Sequence, residues 1–216
     1  MKLWNALLDI VFPTHCLSCG AEGADLCFAC LSGVRGAERE SADWIFPLYD
    51  YREEKIKKAV WLLKYSRKRP LATVFAQALY GRMLEELSDL GQFENFHDAL
   101  LVPIPLSRKR HRERGFNQSL LMCRELAALD NGKNFKLEKH ALIRTKDGVH
   151  QARIGNRSER LQNIVGAFAV KHAERIKNRN IILIDDVTTT GATLSEAKKV
   201  LKASGAKKVI AFTVAH

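Results

Sequence analysis

The chain has 216 residues, of which 46% are hydrophobic and 27% charged. That mix is too apolar for a disordered chain and suits one medium domain with a small appendage. Lys and Arg number 35 against 24 Asp and Glu, a formal charge of +11, which points to a polyanionic partner: nucleic acid, a phosphorylated small molecule or an anionic membrane surface. No apolar run reaches membrane-spanning length.

Met1 to Phe12 read as a short amphipathic helix, with Leu3, Trp4, Leu7, Leu8 and Val11 on one face. Asp9 interrupts the apolar run and no small-residue cleavage site follows, which argues against a signal peptide. The expected setting is cytoplasmic and reducing, where clustered cysteines favour a metal over disulfides. Cys16-Leu17-Ser18-Cys19 and Cys27-Phe28-Ala29-Cys30 are two paired-thiolate turns, and Gly20 gives the first an unhindered backbone. Cys16, Cys19, Cys27 and Cys30 together suit tetrahedral structural zinc. An iron–sulfur site and free thiols are the alternatives. Residues 1–43 are therefore expected to form a helix and a four-Cys zinc module, and 44–216 the main domain.

Trp44 to Tyr51 is apolar and aromatic and reads as a short strand pair, with Pro47 arguing for an edge or a turn. Two helices follow, one marked by Ile56, Val60 and Leu63, the other opened by Pro70 and marked by Leu71, Val74 and Ala78. Ala99 to Val102 is a short buried-type strand ended by Pro103. Ser119 to Leu129 is helical, with Cys123 on its apolar face, and Leu137 to Arg144 reads as a strand. Ile181 to Ile184 is an unbroken apolar strand, Leu194 to Ala203 a helix capped by Gly205, and Lys207 to Val214 a last strand. Strands alternating with helices imply an α/β fold with a mostly parallel sheet covered on both faces.

The most informative segment runs from that apolar strand through Asp185 and Asp186 to Val187, Thr188, Thr189, Thr190, Gly191, Ala192 and Thr193. In an open α/β sheet, ligands bind beyond the carboxyl ends of the strands. Loop amides and a helix N-terminus make an anion site there, and the threonines add hydroxyl donors. A plain phosphate cradle would not set two carboxylates beside a dianion. Asp185 and Asp186 make sense if the ligand also carries a vicinal diol, which carboxylates bind by charge-assisted hydrogen bonds. A ribose 5-phosphate group satisfies both halves. The plainer alternative is a capping box of Thr193 and Glu196 with a turn acid before it, which leaves most of the segment unexplained. No phosphate-loop lysine motif is present, which argues against a nucleoside triphosphatase.

Upstream, Arg108, Lys109, Arg110, His111, Arg112 and Arg114 crowd one segment that ends in Gly115-Phe116-Asn117-Gln118. Such like-charge density is costly on a helix without anions nearby. The segment suits either pyrophosphate or a nucleic-acid backbone, with Phe116 as a stacking face for a base. Otherwise it is a solvated charge run in which Asn117 caps a helix starting at Gln118.

The segment from Ile181 to Thr193 resembles the signature of type I phosphoribosyltransferases. Leu63-Lys64-Tyr65, Val102-Pro103-Ile104-Pro105, Arg114 to Gln118, Gln151, Arg157, Asn163 and Ala167-Phe168, together with the cysteine knuckles, narrow the resemblance to the ComF family, whose members include competence-associated proteins. Two departures are mild: Ser66 to Pro70 lacks an expected glycine, and Thr188 replaces a bulkier residue. The resemblance implies a phosphoribosyltransferase-like sheet that binds 5-phosphoribosyl-1-pyrophosphate with magnesium. It places Arg108 to Gln118 near the pyrophosphate, and makes Arg108, Lys109 and Arg153 candidates for stabilising that leaving group. It makes 145–163, with His150, Gln151, Arg153, Arg157 and Arg160 and flexible points at Gly148 and Gly155, a mobile cover; an exposed basic helix is the alternative. It also implies a role in DNA uptake, with single-stranded DNA and a helicase-type protein as partners, either alongside catalysis or in place of it.

Overall fold

The computed structural model describes residues 13–37, 42–145 and 164–216. Its frame is a five-stranded parallel sheet in the order β1-β7-β6-β2-β3. The strands are β1 (Ile45–Tyr49), β2 (Ala99–Pro103), β3 (Phe135–Leu137), β6 (Asn180–Val187) and β7 (Lys208–Ala215). Residues 181–184 of β6 are buried completely, as an apolar run in a parallel sheet covered on both faces must be. Pro47 sits in β1 at the sheet edge, where a missing N–H costs no ladder bond on the open side.

The helices follow from spacing and punctuation. In α2 (Glu54–Tyr65), Ile56, Ala59, Val60 and Leu63 are buried at helical intervals. Pro70 opens α3 (Pro70–Glu94), which ends at Asn95 in the left-handed conformation. Its inward stripe is Leu71, Ala72, Phe75, Ala76, Leu79 and Met83; Val74 and Ala78 are only half-buried. The remaining helices are α1 (Phe28–Ser32), α4 (Arg108–Arg114), α5 (Gln118–Asp130), α6 (Ala173–Ile176) and α7 (Ala192–Ala203). A separate antiparallel pair, β4 (Leu142–Arg144) with β5 (Phe168–Val170), flanks residues 145–167. Cys123 lies fully buried in α5, as its apolar face required.

Three expectations are corrected, and one alternative fails. Trp44 to Tyr51 contains one strand and not two, because Ile45–Tyr49 pairs in parallel along β7. Leu137 to Arg144 is no single strand: Phe135–Leu137 joins the main sheet and Leu142–Arg144 the small one. Ser204 caps α7, and Gly205 follows it at φ +94. The box of Thr193 and Glu196 does not form: Gly191 is the N-cap, and Glu196 Oε1 instead accepts from the Gly166 amide at 2.7 Å. That bond ties the small sheet to α7.

The cysteine segment packs onto the same core as the sheet. Leu26 and Leu31 are fully buried in one cluster with Tyr49, Ile56 and Leu63. Lys68 Nζ adds an ion pair to the buried Asp25 at 2.9 Å. Among the described residues, no helix is long and apolar enough to cross a membrane.

Candidate functional site

β6 carries Asp185 and Asp186 on its last turn of chain before the segment 188–191 bends into α7. Thr188 is buried, its amide bonded to the Ala215 carbonyl at 3.0 Å, which ties the start of the turn to β7. Thr189 and Thr190 are exposed, and Val187, Gly191, Ala192 and Thr193 are half-exposed. The turn is thus open to solvent at its rim and anchored at its base. Thr190 Oγ1 accepts from the Ala192 amide at 3.4 Å. Gly191 stands at φ +72, a conformation that only glycine adopts without strain. The first amides of α7, a twelve-residue helix, have no partner within the helix and carry its positive dipole end toward this turn.

The two acids are held differently. Asp186 is buried and pairs with Lys64 Nζ at 2.9 Å, and Lys64 itself is largely buried at the end of α2. Asp185 Oδ1 accepts from Ser119 Oγ at 3.1 Å and from the Asp186 amide at 2.9 Å. Burial pushes its pKa up to about 7, and the adjacent Asp186 carboxylate pushes the same way; the Asp186 amide, Lys64 and Ser119 oppose them. Asp185 is therefore an acid with surplus negative potential, partly exposed beside an open turn.

Lys64 and Ser119 hold the two acids, and the motif reading did not assign them to the site. Lys64 follows the buried Leu63, and a half-buried lysine demands a carboxylate, which was the available signal. Nothing local said which carboxylate. Ser119 arrives because Asn117 caps α5: its Oδ1 accepts from the Ser119 and Leu120 amides, while its Nδ2 donates to the Ile104 carbonyl at 2.9 Å. The cap therefore fixes α5 against the end of β2 and sets Ser119 over β6.

The basic segment forms the short helix α4, capped by Ser107, whose side chain accepts from the Arg110 amide. Arg108, Lys109, Arg110 and Arg112 are exposed on it, with Lys109 reaching Glu113 at 3.9 Å. Arg114 is buried, its guanidinium 5.2 Å from the Tyr65 ring centroid. Phe116 is buried too, and Arg69 lies over its ring at 5.0 Å, so that face is closed to a base. Gln118 is 1% exposed, and neither end of its side-chain amide finds a partner among the described residues; the same holds for Arg114 Nε. Arg153 and the rest of the expected cover, 146–163, lie outside the described residues.

The four N-terminal thiols converge. The sulfur atoms of Cys16, Cys19, Cys27 and Cys30 lie within 4.8 Å of one another, and those of Cys19 and Cys27 are 3.7 Å apart. A tetrahedral ion with Zn–S bonds of about 2.3 Å has sulfur–sulfur edges of about 3.8 Å, whereas a disulfide needs about 2 Å. Burial works to raise Cys16, but the amides of Cys27, Cys19 and Ser18 outweigh it and hold that thiol down, at about 6. The Ala21 amide favours the Cys19 thiolate, yet the three neighbouring thiols outweigh it and push Cys19 up to about 11. Such a set ionises together only around a cation. The donor set fits structural zinc.

The comparisons agree with this geometry. The phosphoribosyl transferase domain family matches residues 143–216, which span β4 to the final strand. The DNA utilization protein YhgH of Escherichia coli strain K12 is 31% identical over 147 residues, covering 68% of this chain and 61% of YhgH. The competence protein ComFC of Bacillus subtilis strain 168 is 40% identical over 116 residues, covering 53% of this chain and 43% of ComFC. The chain is a phosphoribosyltransferase-like member of the ComF family. It spans about three fifths of the length of the YhgH relatives. Among solved structures, the glutamine phosphoribosylpyrophosphate amidotransferase of B. subtilis, complexed with ADP and GMP, overlaps this ComF-family chain at a TM-score of 0.44 and 14% identity, covering 72% of this chain and 30% of that one.

Proposed function

We propose that this ComF-family chain binds 5-phosphoribosyl-1-pyrophosphate with magnesium and transfers its phosphoribosyl group to an acceptor, in a cytoplasmic role connected with DNA uptake. One observation carries the reading: an open hydroxyl turn at a helix N-terminus lies directly after two acids, one neutralised by Lys64 and the other not. The turn suits the 5-phosphate, and Asp185 suits the ribose diol. In this reading residues 1–43 are a zinc-stabilised unit and 44–216 the ligand-binding unit.

Among the described residues the cysteines are the one cluster of three or more metal-ligating side chains. In this reading Asp185 would orient water on a magnesium ion. When bound, it would neutralise charge on the departing pyrophosphate. The chain's own residues orient the sugar and offset charge. Asp185 accepts from the diol, Asp186 with Lys64 holds Asp185 in place, and Arg108, Lys109 and Arg153 are assigned to the pyrophosphate end. Transfer breaks the bond from ribose carbon 1 to the pyrophosphate oxygen, which keeps the electron pair. Carbon 1 then joins an acceptor, which releases its proton to solvent. Calorimetry with the pyrophosphorylated ribose and magnesium tests the reading. Binding should be lost in the double variant Asp185→Ala with Asp186→Ala; an unchanged affinity in a folded double variant rejects the assignment.

The exposed face of α4 supports a second reading, a single-stranded DNA-binding accessory protein. Arg108, Lys109, Arg110 and Arg112 present four cations along one short helix. If they neutralise phosphates, the logarithm of affinity should fall with the logarithm of salt at a slope of about −3. Reversing these charges should flatten that slope, while a salt-independent affinity counts against the reading. A helicase-type protein partner belongs to the same proposal.

A further inference from the structure

Nucleic acid held as a single strand offers bases as well as phosphates, and the ring expected to meet them, Phe116, is covered. We infer that Trp61 and Tyr65, on the outer face of α2, form a stacking platform for single-stranded nucleic acid. This rests on the second reading above. Trp61 is 54% exposed and Tyr65 59% exposed, unusual for two large rings side by side. They stand four residues apart on one helical face, with ring centroids 5.8 Å apart and planes at 44°. The buried face of the same helix is taken by Ile56, Val60 and Leu63, so the two rings stand on its outer face.

The surroundings choose the occupant. Lys57 and Lys58 precede the rings by one turn, exposed and without an ion pair among the described residues. Arg67, Lys68 and Arg69 follow the helix, all exposed, with Lys68 paired to Asp25 and Arg69 set over Phe116. Arg114 stacks on Tyr65 and so joins the platform to the basic helix α4. Rings framed by cations match a strand whose bases have apolar faces and whose backbone is anionic. A protein partner would want a broader apolar patch, and here Leu62 is half-buried and the flanks are charged. Stacking on π-faces is tolerant of sequence, so the platform would hold a strand without selecting one.

The test uses the full chain and two oligonucleotides of equal length and charge, oligothymidylate and an abasic strand, titrated by fluorescence anisotropy. Wild type should prefer the base-bearing strand. Replacing both rings, Trp61→Ala with Tyr65→Ala, should remove that preference and weaken oligothymidylate binding by about fivefold or more per ring. Trp61→Phe with Tyr65→Phe should retain most of it. A double-alanine protein that melts like wild type and keeps the preference overturns the platform. So does a wild type that binds both strands equally. If charge reversal along α4 abolishes binding while the ring variants change nothing, the nucleic-acid reading survives and the platform falls. If wild type binds neither strand, both fall together.

Discussion

Replacing Asp185 with Asn separates the charge of that side chain from its hydrogen bonds. The amide keeps an oxygen for the Ser119 hydroxyl and the Asp186 amide, which both donate to Oδ1 in the wild type. In the wild type the folded carboxyl is pushed up to about 7 from an ordinary 3.8, by burial first and by Asp186 second. Between those values the folded chain holds a proton that the unfolded chain has released. This contribution is therefore fully present below the lower value and is lost as pH rises through the upper one. Linkage caps the loss at about 4 kcal/mol, and solvent access to the half-buried carboxyl brings a working figure nearer 2 kcal/mol. Urea unfolding of both proteins in steps from about pH 4 to about pH 8 reads it directly. The stability of Asp185→Asn relative to wild type should climb through that window and level off above it. Parallel curves, or a gap that widens toward acid, would refute the account of Asp185. The same titration bears on the ligand, because a diol donates best to a carboxylate. Affinity of the wild type for the pyrophosphorylated ribose should therefore rise as pH passes through about 7.

Three further outcomes follow from the same geometry. Lys64→Met leaves Asp186 buried without its cation and should cost about 3 kcal/mol in urea unfolding, partly restored by adding Asp186→Asn. Zinc analysis should find about one ion per chain, lost in Cys27→Ser, with a chelator lowering the melting temperature of wild type only; wild-type protein free of metal and equally stable would dismiss the site. Gly191→Ala forces a side chain into the left-handed region, at about 1–2 kcal/mol, and sets its Cβ 3.3 Å from Ile45 Cδ1. Its melting temperature should drop modestly and its ligand affinity more.

The sheet was legible because its strands have nowhere to hide their pattern. Ile181 to Ile184 is apolar throughout, and only a strand covered on both sides reads that way. Pro47 announced an edge and Pro70 a helix start, each through a fixed backbone constraint. Asn117 as a cap was legible too, since its side chain acts on amides two and three residues away. Failures occurred where a distant partner intervened. Glu196 sat at the right spacing for a capping box, yet Gly166, far back in the chain, took its carboxylate. Leu137 to Arg144 looked continuous, but its two ends pair with strands in different sheets. Phe116 looked like a ring on a basic segment until the fold placed Arg69 over it. Local chemistry names the residue; the topology names its partner.

The pairing of Lys64 with Asp186 also answers why two carboxylates precede a phosphate turn. Two free anions there would oppose a phosphate dianion and favour protonation of one of them; after burial, Asp186 is the second cause that raises Asp185. A lysine delivered by α2 cancels the charge of Asp186. On the proposed reading, what would face the ligand is at most one negative charge, that of Asp185, and it would meet a neutral diol. A lysine on the opposite side of the site would instead compete for the phosphate. Its burial beneath the acids, on the same helix that carries Leu63 into the core, keeps it assigned to Asp186. On the proposed reading the ion pair serves ligand selection as well as folding, and the two roles separate experimentally. If Lys64→Met loses stability yet binds the pyrophosphorylated ribose as tightly as wild type under folded conditions, the pair is structural only.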